Sequence, residues 1–299
     1  MARRPSGRPS GGGPPDLPTR REVERLLARL VRENRFTVAV VFPLVGAALL
    51  AGSAEGLLPA GLRFDPALLL VGTLVMRLPL VAGLLPAVDR RAGAVLLALT
   101  AYAYGIEFLG VSTGWPYGAF GYGVALGPTI AGVPVALPVF FLPLVLNASL
   151  LSRLLLGARA DRRAIRVPVT VGLVVAIDLV LDPGAVALGF WTFAAGGAYY
   201  GVPASNYAGW VLSGTVAVAA VDLAFPGRTL RDRLRTCEFA LDDHVSFVLL
   251  WGAINALYAN WVPVAVALLL AAGLLRSDRT GLPDLRRRLR ALVADSPRG

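Results

Sequence analysis

The sequence predicts an all-α polytopic membrane protein, a bundle of seven or eight transmembrane helices with two uncharged segments rich in glycine, proline and aromatic residues. Of its 299 residues, 56% are hydrophobic and 16% are charged, and the mean hydropathy is +0.65. Soluble domains carry about 25% charged residues, so this composition excludes that class. Most apolar runs reach the roughly 20 residues that cross a bilayer as a helix. They lie near residues 37–58, 67–85, 93–109, 135–156, 165–182, 206–225 and 245–275.

Three regions follow from the composition along the chain. Residues 1–35 form an arginine-rich N-terminal tail, in which residues 1–20 are predicted to be disordered and residues 21–35 to form a short amphipathic helix on the membrane surface. The first apolar run then has full span length, which indicates an anchor and not a cleaved signal peptide. Residues 36–275 are the predicted transmembrane catalytic domain, and 276–299 form a basic C-terminal tail.

The positive charge follows the membrane pattern. The net charge of +10 comes from arginine alone, since the sequence contains no lysine, and the arginines lie in the tails and in alternate loops. This distribution predicts a multi-pass protein of the cell membrane with a cytoplasmic N-terminus, and it argues against nucleic-acid binding. Cys237 and His244 are the only residues of their types, which excludes an internal disulfide and clusters of cysteine or histidine around a metal. No metal and no cofactor is expected.

The C-terminal tail breaks the alternation. Seven spans would place the arginines after Leu275 outside, where the positive-inside rule disfavours them. Two resolutions remain open: either the run 245–275 bends back at Asn260–Pro263, or an eighth crossing lies hidden in 184–202.

Two external segments, 110–134 and 183–205, contain no charged residue and share the tripeptide Gly-Val-Pro. Glycine and proline at such density prevent a long helix. Irregular backbone at membrane depth is tolerated only where protein buries it or where it lines a cavity. We therefore predict that both segments pack together at one end of the bundle and form the wall of a pocket. The alternative is an ordered surface loop with an aromatic belt.

Acidic residues beside these segments are the catalytic candidates, because ionisable groups within a membrane are expensive and usually functional. Glu107 ends one apolar run and shares a helix face with Tyr104. Asp178 and Asp182 lie four residues apart, so one helix face presents both, although Asp182 could instead be a helix-terminal residue before Pro183.

Two further charged residues in the apolar runs are predicted to be structural. Asp222 closes a span near Arg228, where an ion pair at the inner surface is expected. Arg77 lies within an apolar run and is expected to neutralise one of the acids.

These acids allow two kinds of chemistry. A DxxxD pair could hold magnesium for diphosphate chemistry, as in a prenyltransferase-like enzyme, but no second acidic motif and no basic clamp for a diphosphate accompanies it. Proton transfer remains. A carboxyl group in an apolar site can stay protonated at neutral pH. It could protonate an isolated trisubstituted alkene, aromatic faces would stabilise the tertiary carbocation, and water would complete the hydration.

Two runs carry a family resemblance: GIEFLGVSTGWPYGAFGYGVALGPTIAGVPVALP and DLVLDPGAVALGFWTFAAGGAYYGVPASNYAGW. They resemble the paired signatures of the carotenoid hydratase family, over roughly residues 36–275. The resemblance implies cofactor-independent addition of water across the terminal double bonds of an acyclic carotenoid, which in haloarchaeal members converts bisanhydrobacterioruberin to bacterioruberin. The sequence leaves two substrates open, a fifty-carbon carotenoid and one of the lycopene type. It also implies a long-chain carotenoid, the lipid bilayer and other carotenoid-pathway membrane enzymes as partners.

The predicted site combines three catalytic acids with polar and aromatic residues of the two signatures. The catalytic candidates are Glu107, Asp178 and Asp182. The substrate-binding candidates are Tyr104, Thr113, Trp115, Tyr117, Tyr122, Trp191, Tyr199, Tyr200, Asn206 and Trp210. A non-enzymatic carotenoid-binding protein is the second alternative, and it would bind pigment without changing its mass.

Overall fold

The structure, a computed structural model, describes residues 17–275, and within this range it is mostly helical. Some helices are joined by single turns of 3₁₀ or π helix, such as the π-helical turn Thr37–Val41 before α2. The ten α-helices of the described range are α1 Arg20–Glu33, α2 Phe42–Ala54, α3 Pro66–Leu84, α4 Arg90–Thr113, α5 Leu137–Leu156, α6 Arg163–Ala187, α7 Ala204–Ala224, α8 Thr229–Thr236, α9 Asp242–Leu257 and α10 Trp261–Leu274.

Within residues 17–275, six helices are long and apolar enough to cross a membrane, which confirms the predicted polytopic all-α class. They are Thr37–Ala54, Pro66–Ala87, Arg90–Thr113, Leu137–Asp161, Arg163–Ala187 and Ala204–Ala224. Helices α9 and α10 have 16 and 14 residues. At 1.5 Å per residue they extend only about 24 and 21 Å, less than the roughly 30 Å hydrocarbon core.

Helices α9 and α10 form a hairpin. The first turn of α9 lies beside Arg35, whose Nε donates to Asp242 over 2.5 Å, whereas Tyr258 just after α9 donates to Glu55 at the end of α2 over 2.8 Å. Helices α2 and α9 therefore lie side by side and run in the same direction.

Helix α10 then returns to the starting end of the bundle. Asn260 in the turn donates to the carbonyl of Pro183, and Gly273 near the other end lies against Leu155, close to the last turn of α5. The chain thus reverses at residues 258–260. Of the two predicted resolutions the structure has the bend, and it places the end of α10 at the same end of the bundle as α1. The tail 276–299 lies outside the described residues.

Helix α1 is fastened to that same end. A capping box joins Thr19 and Glu22, which satisfies orphan donors of the first turn. The guanidinium group of Arg20 donates to the carbonyls of Leu85 (2.7 Å) and Val88 (2.6 Å) after α3. The predicted amphipathic helix is therefore present, whereas most of the region predicted to be disordered, residues 1–16, lies outside the described range.

Helix α5 is the centre of the bundle. Its residues Val145, Ala148, Leu150 and Leu151 have no accessible surface and form the middle of the main apolar core. Helices α3, α4, α6 and α7 pack around it. An apolar helix that is buried on most sides is expected to lie inside a membrane bundle.

The two uncharged segments meet at the end opposite α1, as predicted. Strand β1 (Phe120–Tyr122) pairs antiparallel with β4 (Trp191–Phe193), and β2 (Thr129–Ile130) pairs with β3 (Val133–Pro134). A Cβ atom at Gly123 would overlap the carbonyl oxygen of Gly189, so the absence of a side chain permits this close approach.

The helices reach further into these segments than predicted. Helix α4 continues to Thr113, and α6 continues beyond Asp182 through Pro183 to Ala187. A proline inside a helix leaves the carbonyl four residues earlier without its usual donor. The carbonyl of Leu179 accepts instead from the hydroxyl of Tyr199 over 3.1 Å, which allows α6 to continue.

Candidate active site

A cavity of about 570 Å³ lies between the helices beneath the paired segments. Along α3 its lining extends from Asp65 to Arg77, which corresponds to about 18 Å of helix. Its walls are almost entirely apolar, as is usual for ligand sites with few polar groups. The aromatic lining residues are Phe42, Phe64, Tyr117, Phe120, Tyr122, Phe140, Phe141, Phe190, Trp191, Phe193, Trp210 and Trp251.

Glu107 lines this cavity from α4, about two turns before the helix ends. The hydroxyl of Tyr122, on β1, donates a hydrogen bond to its carboxyl group. Burial and the neighbouring Glu107 raise the pKa of Tyr122 above its ordinary value, so the phenol keeps its proton and acts as the donor. One oxygen of Glu107 is thus held in place by the loop.

Asp178 and Asp182 share a single partner. The side-chain amide of Asn206, in the first turn of α7, donates to Asp182 and, over 3.1 Å, to Asp178. All three side chains are buried, but only Asp182 and Asn206 line the cavity, with Asp178 behind them. Within residues 17–275, no arginine forms a salt bridge with either aspartate or with Glu107. The carboxyl groups therefore lie in apolar surroundings without a counter-charge.

Tyr117 and Trp210 form an aromatic wall beside the acids. Tyr117 is buried, and its ring centroid lies 6.2 Å from that of Trp210, which stacks on Phe141 at 5.8 Å. The Tyr117 ring fits between α4 and α7 because both helices carry glycine there. A Cβ at Gly209 would lie 2.5 Å from the ring, and one at Gly110 would lie 3.0 Å from it.

Five of the ten predicted substrate-binding residues line the cavity: Tyr117, Tyr122, Trp191, Asn206 and Trp210. The other five lie outside the lining. Tyr104 donates to the carbonyl of Val135, and Thr113 donates to Leu109 within its own helix. Trp115 is 56% exposed, Tyr199 donates to Leu179, and the hydroxyl of Tyr200 accepts from the backbone of Val262.

The sequence comparisons can now be set beside this geometry. Residues 64–274 match the family model described as carotenoid biosynthesis protein. The chain belongs to this family. A curated relative, bisanhydrobacterioruberin hydratase of Haloarcula japonica, is 63% identical over 252 residues, which cover 84% of this chain and 86% of the relative. No solved structure gives a significant match.

In this member of the carotenoid biosynthesis family, three acidic residues of the described range border the cavity: Asp65, Glu107 and Asp182. All three lie within the matched range. Two charged residues have partners that the sequence did not reveal. Arg77 was expected to neutralise one of the candidate acids, but it pairs with Asp243 over 2.6 Å. Asp222 has the predicted structural role, although its closest partners are Arg166 (2.6 Å) and Arg153 (2.9 Å).

Several cavity residues escaped sequence reasoning, and two of them lie outside the two signatures. Phe141 and Trp251 belong to ordinary apolar runs, and Phe190 belongs to a signature but was not singled out. Asp243 could have been noticed, since it belongs to the polar tripeptide DDH, which directly precedes an apolar run. Within residues 17–275, no group of three or more His, Cys, Asp or Glu side chains is arranged to hold a metal ion.

Proposed function

We propose that this chain is a carotenoid hydratase, a hydro-lyase that adds water across the terminal double bonds of an acyclic carotenoid. The proposed conversion is bisanhydrobacterioruberin to bacterioruberin, in the cell membrane, with a cytoplasmic N-terminus. The observation that carries it is the placement of Glu107 and Asp182 in one apolar, aromatic cavity. The reaction of the similar Haloarcula japonica enzyme, as its name states it, agrees with this chemistry.

The first step of the proposed reaction is protonation of the alkene. The carboxyl O–H bond of the acid breaks, and the π electrons of the alkene form a new C–H bond at the less substituted carbon. This leaves a tertiary cation on the other carbon and a carboxylate on the protein. We assign this role to Glu107, because Tyr122 fixes one of its oxygens and leaves the other for the substrate. General acid catalysis of this kind typically contributes about 10²–10⁴-fold.

The second step is capture of the cation by water. The water oxygen bonds to the tertiary carbon, and the proton it loses passes to a carboxylate, so that alkene and water give a tertiary alcohol with no oxidant or reductant. Asp182 is suited to accept this proton, because it lines the cavity and its partner Asn206 keeps it oriented. Exchange with water then removes the proton from Asp182 and restores the one that Glu107 gave, which closes the cycle. Asp178 acts behind it as a positioning residue through the same amide.

The intermediate cation needs stabilisation in an apolar site. Ring faces within about 6 Å attract a cation through the ring quadrupole. Tyr117, Phe141 and Trp210 provide such faces as a contiguous set of rings on the cavity wall. The aromatic wall therefore has a role in this reaction that packing alone would not require.

A lipid-soluble substrate would reach the cavity through the bilayer. The lining residues Val45 and Leu49 of α2, and Leu68 and Val71 of α3, are each about half exposed although they border the cavity. Apolar residues of this kind in a membrane protein face lipid. We propose that the end group of the carotenoid enters the cavity while the rest of the polyene stays in the membrane.

The test is expression in a host that accumulates an acyclic carotenoid with terminal double bonds. A hydratase raises the pigment mass by one water per end. A carotenoid-binding protein without activity would co-purify with pigment of unchanged mass, and a prenyltransferase-like enzyme would add carbon and lose activity with a chelator. Either of those results would overturn the proposal.

A further inference from the structure

Among the described residues, Arg77 is the one arginine that lines the cavity. An arginine at membrane depth is costly and usually pairs, and its remaining donors face the bundle interior or a polar ligand. Arg77 lies 11 residues along α3 from Pro66, and Glu107 lies six residues before the end of α4. At 1.5 Å per residue, Arg77 lies roughly 16 Å along α3 from Pro66, and Glu107 lies roughly 9 Å along α4 from Thr113, so both lie within the bundle.

Two of the three guanidinium nitrogens of Arg77 have structural partners. Nη1 donates to Asp243 over 2.6 Å. Nε donates to the carbonyl of Val139 over 3.3 Å, and this carbonyl lacks its usual helical donor because Pro143 stands four residues later. Asn147 donates to the second oxygen of Asp243, so both carboxylate oxygens are occupied and the ion pair has one orientation.

The third nitrogen, Nη2, has no structural hydrogen-bond partner among the described residues. Within residues 17–275 no group accepts a hydrogen bond from it, and the side chain keeps 11% of its surface accessible on the cavity. Asp243 balances the positive charge, so the subsite has no excess charge that would call for an anionic ligand. A neutral acceptor oxygen fits this donor, and the surrounding apolar walls fit hydrocarbon.

We propose that Arg77 is a specificity residue whose Nη2 donates a hydrogen bond to a hydroxyl group that the carotenoid already carries close to its reacting end. This inference rests on the proposed hydratase function and deepens it, because it names a residue that would select the end group of the substrate. Glu107 and Arg77, which line the same cavity, would then hold the alkene and the hydroxyl of one end group, so that the cavity selects end groups that carry both.

The test compares two substrates in one variant. R77M/D243N removes the donor and the ion pair together, so that no buried charge is left unpaired. The substrates are an acyclic carotenoid with an isolated terminal alkene and the same chain with a tertiary hydroxyl a few bonds from that alkene. The measured quantity is the ratio of their kcat/KM values, together with the ratio of their Kd values from pigment absorbance.

We expect the native protein to favour the hydroxylated substrate and the double variant to lose about 10- to 100-fold of this preference, the range typical of one hydrogen bond to a charged group. R77K, which keeps Asp243 paired, should lose part of the preference because its ammonium group has different donor geometry. A matched control is R35M/D242N, which neutralises another buried ion pair that does not border the cavity. Its preference should equal that of the native protein.

If Arg77 had only a structural role, its replacement would lower the kcat/KM values of both substrates by the same factor. An unchanged ratio in R77M/D243N, or in R77K if the double variant does not fold, overturns the proposal. The ratio of Kd values tests the role of Arg77 independently of the hydratase reaction. If the native protein hydrated neither carotenoid but still bound the hydroxylated one more tightly through Arg77, the reaction would be refuted and the subsite would stand.

Discussion

The hydroxyl of Tyr122 donates to the carboxyl group of Glu107, and this bond ties the first uncharged segment to helix α4 at the cavity wall. Tyr122 is also paired through its strand with Trp191 of the second segment. One hydrogen bond therefore couples the position of the proposed acid to the packing of both loops.

Removing the phenol of Tyr122 should weaken catalysis without unfolding the protein. In Tyr122→Phe the ring still packs, but Glu107 loses the donor that orients it. We expect turnover of the carotenoid to fall about 10- to 100-fold, the effect of one lost hydrogen bond to a charged or reacting group. Pigment analysis after expression, normalised to protein level, measures this. Turnover equal to that of the native protein would show that the Tyr122 hydroxyl has no role in the reaction.

Neutralising either cavity acid should block hydration. Glu107→Gln and Asp182→Asn keep the shape of each side chain but remove its ability to transfer a proton, so we expect each to lose about 10²-fold or more. Asp222→Asn is not a suitable control, because Asp222 holds Arg153 and Arg166 together. Half-buried Asp65→Asn is better suited, because asparagine can still cap α3, and this variant should retain hydration. Native turnover in both Glu107→Gln and Asp182→Asn would remove the acids from the mechanism.

The fit of the Tyr117 ring against α7 can be tested at Gly209. A methyl group there would lie within 2.5 Å of the ring, so Gly209→Ala should displace Tyr117 and lower turnover while the protein still folds. Gly93→Ala in α4 is the matched control, since nothing lies within 4 Å of its Cβ position, and alanine is favoured over glycine inside a helix. Equal turnover in the two variants would show that the aromatic wall does not depend on this contact.

Tyr199 is expected to act on stability alone. Tyr199→Phe leaves the carbonyl of Leu179 without a donor, and an unsatisfied buried backbone group costs about 1–3 kcal/mol. The Tm should therefore fall, whereas hydration per folded molecule stays at the native level. A loss of turnover with an unchanged Tm would instead return Tyr199 to the substrate-binding set in which the sequence placed it.

The position of the two segments at one end of the bundle can be tested by labelling. Cys237 is buried and single, so a Cys237→Ser background is clean. Cysteines at the exposed positions Ile130 and Ala195 should react with an impermeant reagent from the same side, and one at Arg228 from the opposite side. Labelling of Ile130 and Ala195 from opposite sides would contradict the fold.

Sequence reasoning captured what depends on local composition. Apolar runs located the helices, because each span must bury its own backbone hydrogen bonds in lipid. Glycine density located the two segments that close the cavity, and the signatures led to the family that the comparison then confirmed. Glu107 and Asp182, which border the cavity, were singled out because ionisable residues in such surroundings are few, whereas Asn206 was named from the second signature.

Contacts between distant parts of the chain could not be predicted in the same way. Arg77 and Asp243 are 166 residues apart, and nothing in either neighbourhood specifies the other. Tyr199 was placed among the substrate-binding candidates because it is an aromatic residue of a signature, whereas its partner is a carbonyl released by Pro183 on another element. Helix α6 also continued through Pro183, because side-chain donors replaced the lost hydrogen bond.

The most direct test of the account is hydration carried out in D₂O with the purified protein in membranes and no added cofactor. Protonation of the alkene by a carboxyl group that has exchanged with solvent places one deuterium on carbon at each hydrated end, where it does not wash out in H₂O. We expect the native protein to give this product and Glu107→Gln to give almost none. A tertiary alcohol without carbon-bound deuterium, or pigment of unchanged mass, would contradict acid-catalysed hydration in this cavity.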